Sequence, residues 1–139
     1  MKLLQFWVGP RYVIDISRIV SSNQIHTTGK KYLDSPEEGL AELSLVYNND
    51  DKLSGTDLSY ITIWAAYFSD TEFAMEAAEK AVRSYGTNAD RFWFPVMKEV
   101  RQLPRFKEFV REIGLVDYWN QFGWPDLCRP VGNDDFVCD

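Results

Sequence analysis

The side chains best suited to metal or redox chemistry in this sequence are two cysteines and one histidine. Cys128 and Cys138 have nine residues between them, and His26 lies in the first quarter of the chain. A structural zinc site takes four ligands, usually from closely spaced Cys or His pairs. A site built here would also need a carboxylate such as Asp126 or Asp135. The spacing therefore argues against a zinc site, and we predict no metal and no cofactor.

The same two cysteines leave two redox states to weigh. A disulfide between Cys128 and Cys138 would close a short loop and stabilise the fold by roughly 2–3 kcal/mol in an oxidising compartment. The first residues, "MKLLQFWVGP", carry an apolar patch but no small-residue cleavage site, so a secretory signal is not predicted. We therefore expect a cytoplasmic protein in which both thiols are reduced and inert or mildly reactive.

The sequence lacks the common catalytic patterns. His26 lies in the polar stretch "NQIHTTG", and the chain contains neither a Gly-x-Ser-x-Gly elbow nor a glycine-rich phosphate loop. The acidic stretch "NNDDKLSGTD" suggests calcium, but Lys52 falls on a ligand position in either register of a calcium loop. The carboxylates of Glu108 and Glu112 fall on the exposed face of a predicted helix. We predict a protein that is not an enzyme.

Composition narrows the class of protein and of partner. The chain has 139 residues, of which 45% are hydrophobic and 15% are aromatic; these values predict one folded domain with a sizeable core. The net charge of −6 and the scattered basic residues argue against nucleic acid as the partner. No run of about 18 apolar residues is present, so the sequence predicts no transmembrane helix.

Two segments have clear helix signals. In "TEFAMEAAEKAVRSYG" an apolar stripe recurs at helical spacing, Asp70 or Thr71 can cap the start, and Gly86 can end the helix. In "SPEEGLAELSLVYNND" Ser35 can cap, and Pro36 suits the first helical position. A third segment, "TDLSYITIWAAYFSD", has β-branched residues, but its large apolar residues follow helical spacing and we predict a helix.

The remaining segments are less regular. A helix is predicted over "NADRFWFPVMKEVRQ", opened by Asn88 and interrupted at Pro95, which is either a kink or the first turn of a later helix. Another covers "LPRFKEFVREIG", and a short one runs from Val116 to Phe122, followed by an extended or loose tail. Near the start, "RYVIDISRIVSS" favours a helix, with a strand as the alternative, whereas "NQIHTTGKKYLD" is predicted to be a loop.

Helices of this length joined by short polar loops fit a helical-hairpin repeat of about 34 residues. With Phe68 at the aromatic position that closes the first helix, Trp64 falls on an apolar position and Ala65 on a small one. In the second helix Ala77 takes the small position, where two helix axes approach to about 8–10 Å. Ala81 replaces the large aromatic residue expected there, so the repeat is degenerate.

The chain also resembles a known family. The stretches "IWAAYFSDTEFAMEAAEKA", "FPVMKEVRQLPRFKEFVREIGLVDYW" and "GWPDLCRPVGNDDFVCD" resemble the C-terminal end of bacterial tetratricopeptide-repeat (TPR) proteins. The resemblance covers Ser35 to Asp139, and the first 34 residues do not match. It implies an array of helical hairpins that is used for protein–protein contacts.

Pattern and resemblance together predict an all-α fold of TPR-like antiparallel helical hairpins, an α-α superhelix of about five to seven helices with an irregular C-terminal segment. We divide the chain into an N-terminal segment of uncertain structure (1–34), a TPR-like helical domain (35–123) and a C-terminal extended tail (124–139). Trp119 and Phe122 are expected to seal the end of the stack, with Trp124 turning the chain back across it.

The predicted function is a non-enzymatic protein–protein interaction module whose partner is another protein or a second copy of the chain. A homodimer would cover the exposed end of the helical stack. The alternative is a regulatory domain that binds a small molecule in an aromatic-lined pocket. The inner groove of such arrays is lined by the first helix of each hairpin, which gives Ser59, Thr62 and Ala66 as predicted partner-binding residues. Tyr67, Arg91 and Trp93 are predicted to flank the groove.

Overall fold

The structure is a computed structural model. It describes residues 16–86 and 89–139 together with the residue pairs 6–7 and 13–14, and it describes side chains from residue 24 onward. Within these ranges the chain forms seven α-helices, two 3₁₀ helices and two small antiparallel strand pairs. The predicted all-α class is therefore confirmed.

The elements have the following bounds. The N-terminal part contains β1 (Phe6–Trp7), β2 (Val13–Ile14), α1 (Ile16–Lys31), α2 (Pro36–Asn49), α3 (Gly55–Tyr67) and α4 (Thr71–Tyr85). The middle contains two 3₁₀ helices, Ala89–Trp93 and Pro95–Met97, followed directly by α5 (Lys98–Arg101). The C-terminal part contains α6 (Pro104–Glu112), α7 (Leu115–Phe122), β3 (Cys128–Val131) and β4 (Asp135–Cys138).

Helix α3 is the central element of the N-terminal part, because it packs against α1, α2 and α4. Two glycines allow this close packing. A Cβ atom on Gly29 of α1 would lie well under 3.0 Å from ring atoms of Trp64, and one on Gly39 of α2 would lie 2.7 Å from the ring of Phe68. The large aromatic residues of α3 therefore fill space that the missing glycine side chains leave open.

The N-terminal helix extends further than the sequence predicts. Helix α1 runs from Ile16 to Lys31, so "NQIHTTGKK" is helical and not a loop, whereas the preceding Val13 lies in β2. The β-branched residues and Gly29 in this segment have low helix propensity. Burial of Ile25, which is 2% exposed, within the cluster around α3 overrides that propensity. Helix α1 thus packs with helices of the predicted 35–123 domain.

The predicted helix starts are confirmed in part. Asp70 caps α4 by accepting a hydrogen bond from the Phe73 backbone N–H at 3.0 Å, and Gly86 ends α4 with a φ of 62°. Pro36 is the first residue of α2, but Ser35 makes no side-chain cap there. Helix α3 begins with a capping box between Ser54 and Asp57 that the sequence analysis did not identify.

The segment after α4 is not one α-helix kinked at Pro95; Pro95 instead opens a later helical segment, the second of the two alternatives. The predicted opening residue, Asn88, lies outside the described residues. Residues Ala89–Trp93 form a 3₁₀ helix, and Pro95 begins a second one, consistent with the preference of proline for a first turn. The chain changes direction at Phe94, whose extended backbone separates the two.

A buried arginine fixes the path of this segment. The guanidinium of Arg101, which is 3% exposed, donates to the backbone carbonyls of Phe92 at 2.6 Å and Phe94 at 3.0 Å. Its Nε also donates to the backbone O of Asp139 at 2.8 Å. Burial lowers the pKa of Arg101 from its ordinary value. Arg101 therefore ties the 3₁₀ segment to the C-terminal strands.

The C-terminal residues form a closed hairpin, where the sequence analysis expected an extended tail. Strands β3 and β4 are antiparallel, and Gly132 takes the left-handed conformation that their short connection requires, with a φ of 64°. Phe136 is buried against the helices at 1% exposure. Its burial, together with the strand pairing, gives the segment a fixed place on the core.

The prediction of two reduced thiols is wrong. Cys128 and Cys138 form a disulfide with an S–S distance of 2.03 Å. The hairpin register places the two residues directly opposite each other, with their Cα atoms 4.1 Å apart. The reduced state was favoured over the disulfide because the segment was expected to be a loose tail in a reducing compartment, whereas the hairpin places the two cysteines opposite each other.

The buried apolar residues form two clusters. The N-terminal cluster draws residues from all four helices α1, α2, α3 and α4. It contains Ile25, Leu43, Leu53, Leu58, Ile61, Trp64, Phe68, Ala77 and Ala81. The C-terminal cluster contains Ala65, Ala66, Ala74, Met75, Ala78, Phe92, Met97, Val100, Phe106, Phe109, Val110, Trp119, Cys128, Phe136 and Cys138. Because α3 and α4 contribute to both clusters, they connect the two parts of the molecule.

Candidate functional site

A groove of about 330 Å³ opens along one face of α3, and we call it the α3 groove. Helix α1 forms one side and the first 3₁₀ segment with Phe94 forms the other. Its described lining residues are His26, Thr56, Ser59, Tyr60, Ile63, Trp64, Tyr67, Arg91 and Phe94. Most of them carry an aromatic ring, so the groove offers large, rigid apolar surfaces.

A hydrogen bond holds the α1 side of the groove. The indole Nε1 of Trp64 donates to Nδ1 of His26 at 3.3 Å. Because Nδ1 accepts, a neutral imidazole at this position carries its proton on Nε2. The His26 ring also lies 5.2 Å from the ring of Tyr60. The imidazole is therefore oriented by two residues of α3.

The floor and the rim of the groove differ in exposure. Trp64 is 8% exposed, and its buried ring stacks on Phe68 with centroids 5.7 Å apart. Tyr67 meets Trp64 edge to face at 5.5 Å, yet it is 54% exposed. An exposed ring that rests on a buried one is held in place without being covered. Tyr67 is therefore the most available aromatic contact on the α3 side.

The opposite rim carries a cation and another aromatic ring. The guanidinium of Arg91 lies over the ring of Phe94, 5.0 Å from its centroid, and Phe94 is 37% exposed. An amino group of Arg91 is 3.8 Å from a carboxylate oxygen of Asp90, and the buried Nε has no hydrogen-bond partner among the described residues. The bonds of Arg101 to the Phe92 and Phe94 carbonyls position this rim.

The structure brings together half of the predicted partner-binding residues. Ser59, Tyr67 and Arg91 line the α3 groove. Thr62 is 1% exposed, and its hydroxyl donates to the Leu58 carbonyl at 2.8 Å; Ala66 is 9% exposed and lies in the core. Neither residue is among those that line the groove.

Trp93 lies apart from the groove. Its ring meets Trp119 at 5.8 Å, and it lines a separate cavity of about 420 Å³ with Pro125, Asp126 and Leu127. The sequence analysis grouped Trp93 with Arg91 because they are close along the chain. The 3₁₀ conformation of Ala89–Trp93 sends the two side chains to different surfaces.

The sequence analysis missed several groove residues although a signal was present. Thr56, Ser59, Ile63 and Tyr67 follow one another at intervals of three or four residues, which places them on one face of α3. Tyr60 and Trp64 widen the same face. His26 and Phe94 gave no such signal, because the first lay in a predicted loop and the second depends on the path of the 3₁₀ segment.

The C-terminal end carries a second, more polar cavity of about 310 Å³ between α7 and the hairpin. Hydrogen bonds from Lys107, from the Phe136 backbone N–H and from Arg111 lower the pKa of Asp135 at its edge. Trp119 is 5% exposed and contacts Trp124 at 5.3 Å, as expected of residues that seal this end. Phe122, also expected there, is 65% exposed.

The described residues contain neither a metal-binding cluster nor a membrane-spanning helix. No group of three or more His, Cys, Asp or Glu side chains among them is placed to hold a metal ion. No helix in the described part of the chain is long and apolar enough to cross a membrane. Comparisons with protein-family models, curated proteins and solved structures gave no match. The α3 groove is therefore identified as a candidate site from its geometry alone.

Proposed function

We propose that the protein is a non-enzymatic interaction module that binds a segment of a partner protein in the α3 groove. The observation that carries this proposal is the open aromatic lining of the groove, with Tyr67 and Phe94 exposed on opposite rims. Tyrosine and other aromatic residues contribute much of the binding energy at protein interfaces, because they supply large contact area at little entropic cost.

The placement of the groove supports a TPR-like arrangement. In such arrays the first helix of each hairpin lines the inner surface, and here α1 and α3, the first helices of the pairs α1–α2 and α3–α4, lie together along the groove. Small residues occur where helices approach closely: Gly29, Gly39 and the fully buried Ala77. Helices α2 to α4, with Gly39 and Ala77, lie within the range of the resemblance to TPR proteins, whereas α1 and Gly29 precede it.

A matched pair of tyrosine variants tests the proposal. Tyr67 is 54% exposed in the groove, and Tyr118 is 56% exposed on α7, outside it. We expect Tyr67→Ser to lose the other proteins that the wild-type protein captures from lysate of its own host, and Tyr118→Ser to keep them; captured copies of the chain itself are left out of the comparison. Quantitative mass spectrometry of the captured proteins measures the difference. Equal capture by both variants would contradict a role for the groove.

A regulatory domain that binds a small molecule remains the second candidate. The groove volume of about 330 Å³ lies at the lower end of the range for ligand pockets, roughly 300–1,000 Å³. A ligand that binds only the folded state raises the unfolding temperature. A thermal-shift screen of metabolites with the wild-type protein and Tyr67→Ser separates the candidates, because a metabolite-specific rise that Tyr67→Ser abolishes favours the pocket.

Self-association is a further part of the proposal. The exposed rings of Tyr118 and Phe122 lie 4.7 Å apart on α7 and form an apolar pair at the surface. A two-fold dimer would cover such a pair. Size-exclusion chromatography with light scattering over a wide dilution series measures it: a persistent dimer is expected if this pair is an interface, and a monomer at all concentrations would exclude it.

A cytoplasmic location stays a prediction. It was inferred together with reduced thiols, and the disulfide between Cys128 and Cys138 removes that part of the argument. Disulfides persist mainly in oxidising compartments. Fractionation of cells that express the tagged protein, with alkylation of free thiols before lysis, measures both the location and the redox state.

A further inference from the structure

Arg91 differs from every other arginine whose side chain the structure describes. Arg83, Arg105, Arg111 and Arg129 donate to carboxylates, and Arg101 donates to three backbone carbonyls. Arg91 makes no hydrogen bond with the described residues, and its Nε is buried without a partner. A guanidinium carries five N–H donors. In Arg91 the Nε donor is the one that is buried without a partner among the described residues, and a donor kept from water without an acceptor is costly.

The neighbouring carboxylate does not satisfy this cation. Asp90 approaches one amino group of Arg91 at 3.8 Å, beyond hydrogen-bond distance, and its own side chain is 68% exposed. Exposed ion pairs of this kind contribute little to stability. The stacking on Phe94 holds the guanidinium plane at the rim but supplies no acceptor.

The electrostatics of the groove also favour an anionic partner. None of its described lining residues carries a carboxylate, although the chain as a whole has 21 acidic and 15 basic residues. The groove therefore places a cation beside apolar rings on an otherwise acidic protein. Charge complementarity selects against basic partners at such a surface.

From these observations we propose that the α3 groove selects partner segments in which an acidic side chain lies next to aromatic or aliphatic residues. The carboxylate pairs with Arg91, and the apolar side chains lie against Tyr67 and Phe94. This inference rests on the proposed function, since it names the class of segment that the same groove accepts. Arg91 is the residue that sets the charge preference.

The test uses three pools of short peptides, acetylated and amidated so that their ends are neutral. All pools share Leu, Phe and Tyr at alternate positions; the other positions carry Asp and Glu, Asn and Gln, or Lys and Arg. Isothermal titration calorimetry with the whole chain measures binding. We expect the acidic pool to bind roughly tenfold more tightly than the amide pool, as for a hydrogen bond to a charged group.

Variants of Arg91 give the decisive comparison. Arg91→Gln should remove the preference for the acidic pool, and Arg91→Glu should invert it in favour of the Lys and Arg pool. Arg129→Gln is the matched control, because Arg129 is an exposed arginine that lies outside the groove and pairs with Asp139. Far-UV circular dichroism confirms folding, and the inverted preference of Arg91→Glu cannot arise from unfolding.

The outcomes separate this inference from the proposed function. Equal binding of the acidic and amide pools, unchanged in Arg91→Gln but weakened in Tyr67→Ser, would overturn the charge preference and leave the groove as a binding site. Binding of no pool, or binding that Tyr67→Ser leaves unchanged, would overturn both. A preference for the acidic pool that persists in Arg91→Glu would overturn the role of Arg91.

Discussion

The N-terminal and C-terminal parts of the molecule are stabilised in different ways. Around α1, α2 and α3 the described packing depends on shape: glycines on α1 and α2 admit the rings of Trp64 and Phe68. Around α6, α7 and the hairpin, covalent and charged links are added to a buried apolar cluster. There a disulfide joins the strands, and Lys107 and Arg111 pair with Asp135.

This difference shows which part of the structure can serve as a binding surface. The α3 groove lies on the part held by shape, where rings pack closely and the Nε of Arg91 has no hydrogen-bond partner among the described residues. In the C-terminal part Arg129, Asp135 and Asp139 of the hairpin already have charged partners. The C-terminal part therefore serves mainly to anchor the 3₁₀ segment, through Arg101, at the edge of the groove.

Removal of the disulfide should have the largest effect on the free energy of unfolding. The accompanying structural change should be confined to the C-terminal part. Changing Cys128 and Cys138 together to Ser should lower the free energy of unfolding by about 2–3 kcal/mol, because the unfolded chain loses a short closed loop. Urea unfolding measures it, with added reductant giving the same loss in the wild-type protein. No change upon reduction would contradict the anchoring role of the hairpin.

The corresponding change in the N-terminal part is steric. Gly29→Ala should destabilise the fold by about 1–2 kcal/mol, because a Cβ atom overlaps the Trp64 ring and outweighs the gain in helix propensity. Thr27→Ala is the control, since Thr27 is exposed on the same helix. Thermal unfolding measures both, and a Gly29→Ala protein as stable as Thr27→Ala would show that α1 and α3 are less closely packed.

A smaller effect is expected from the charged contact between α4 and α6. Glu79 is 15% exposed and accepts from Arg105 at 2.8 and 3.0 Å. Glu79→Gln should cost about 0.5–1 kcal/mol, because Arg105 is partly exposed and solvent weakens the pair. The control is Glu108→Gln, on the exposed face of α6. If urea unfolding gives both variants the same free energy of unfolding, the Glu79–Arg105 pair does not stabilise the fold.

The smallest effect concerns acid stability of the hairpin. Its hydrogen bonds lower the pKa of Asp135 below the ordinary value of 3.8, so the folded state favours the ionised carboxyl. The contribution of the ionised Asp135 carboxyl to stability is complete above the ordinary pKa. It is lost as pH falls through the lowered pKa of the folded state. Asp135→Asn should therefore reduce the acid sensitivity of stability below about pH 4. Identical pH profiles of the thermal midpoint for variant and wild type would contradict this.

The sequence predicted elements whose signals are local. Helix α4 has its apolar stripe, its Asp70 cap and its Gly86 stop within one stretch of chain, and the structure confirms it. Helix α1 was missed in part because its stability comes from packing against α3 and not from propensity. The hairpin was missed because its strands are short and stabilised by contacts with distant helices.

The candidate site was predictable to a similar extent. The face of α3 that carries Ser59 and Tyr67 repeats at helical spacing, so these residues could be found from the sequence. Thr62 and Ala66 were predicted to line the groove, whereas both are buried and lie outside its lining. The positions of Arg91 and Phe94 depend on the bonds of the buried Arg101, and no local pattern indicates them.

The most direct test follows the indole N–H signals by NMR while the acidic peptide pool is titrated into the protein. The indole of Trp64 donates to His26 at the groove, whereas Trp119 and Trp124 lie together in the C-terminal part. We expect the Trp64 signal to shift with peptide concentration while the Trp119 and Trp124 signals stay in place. Shifts confined to Trp119 and Trp124 would contradict the α3 groove as the binding site.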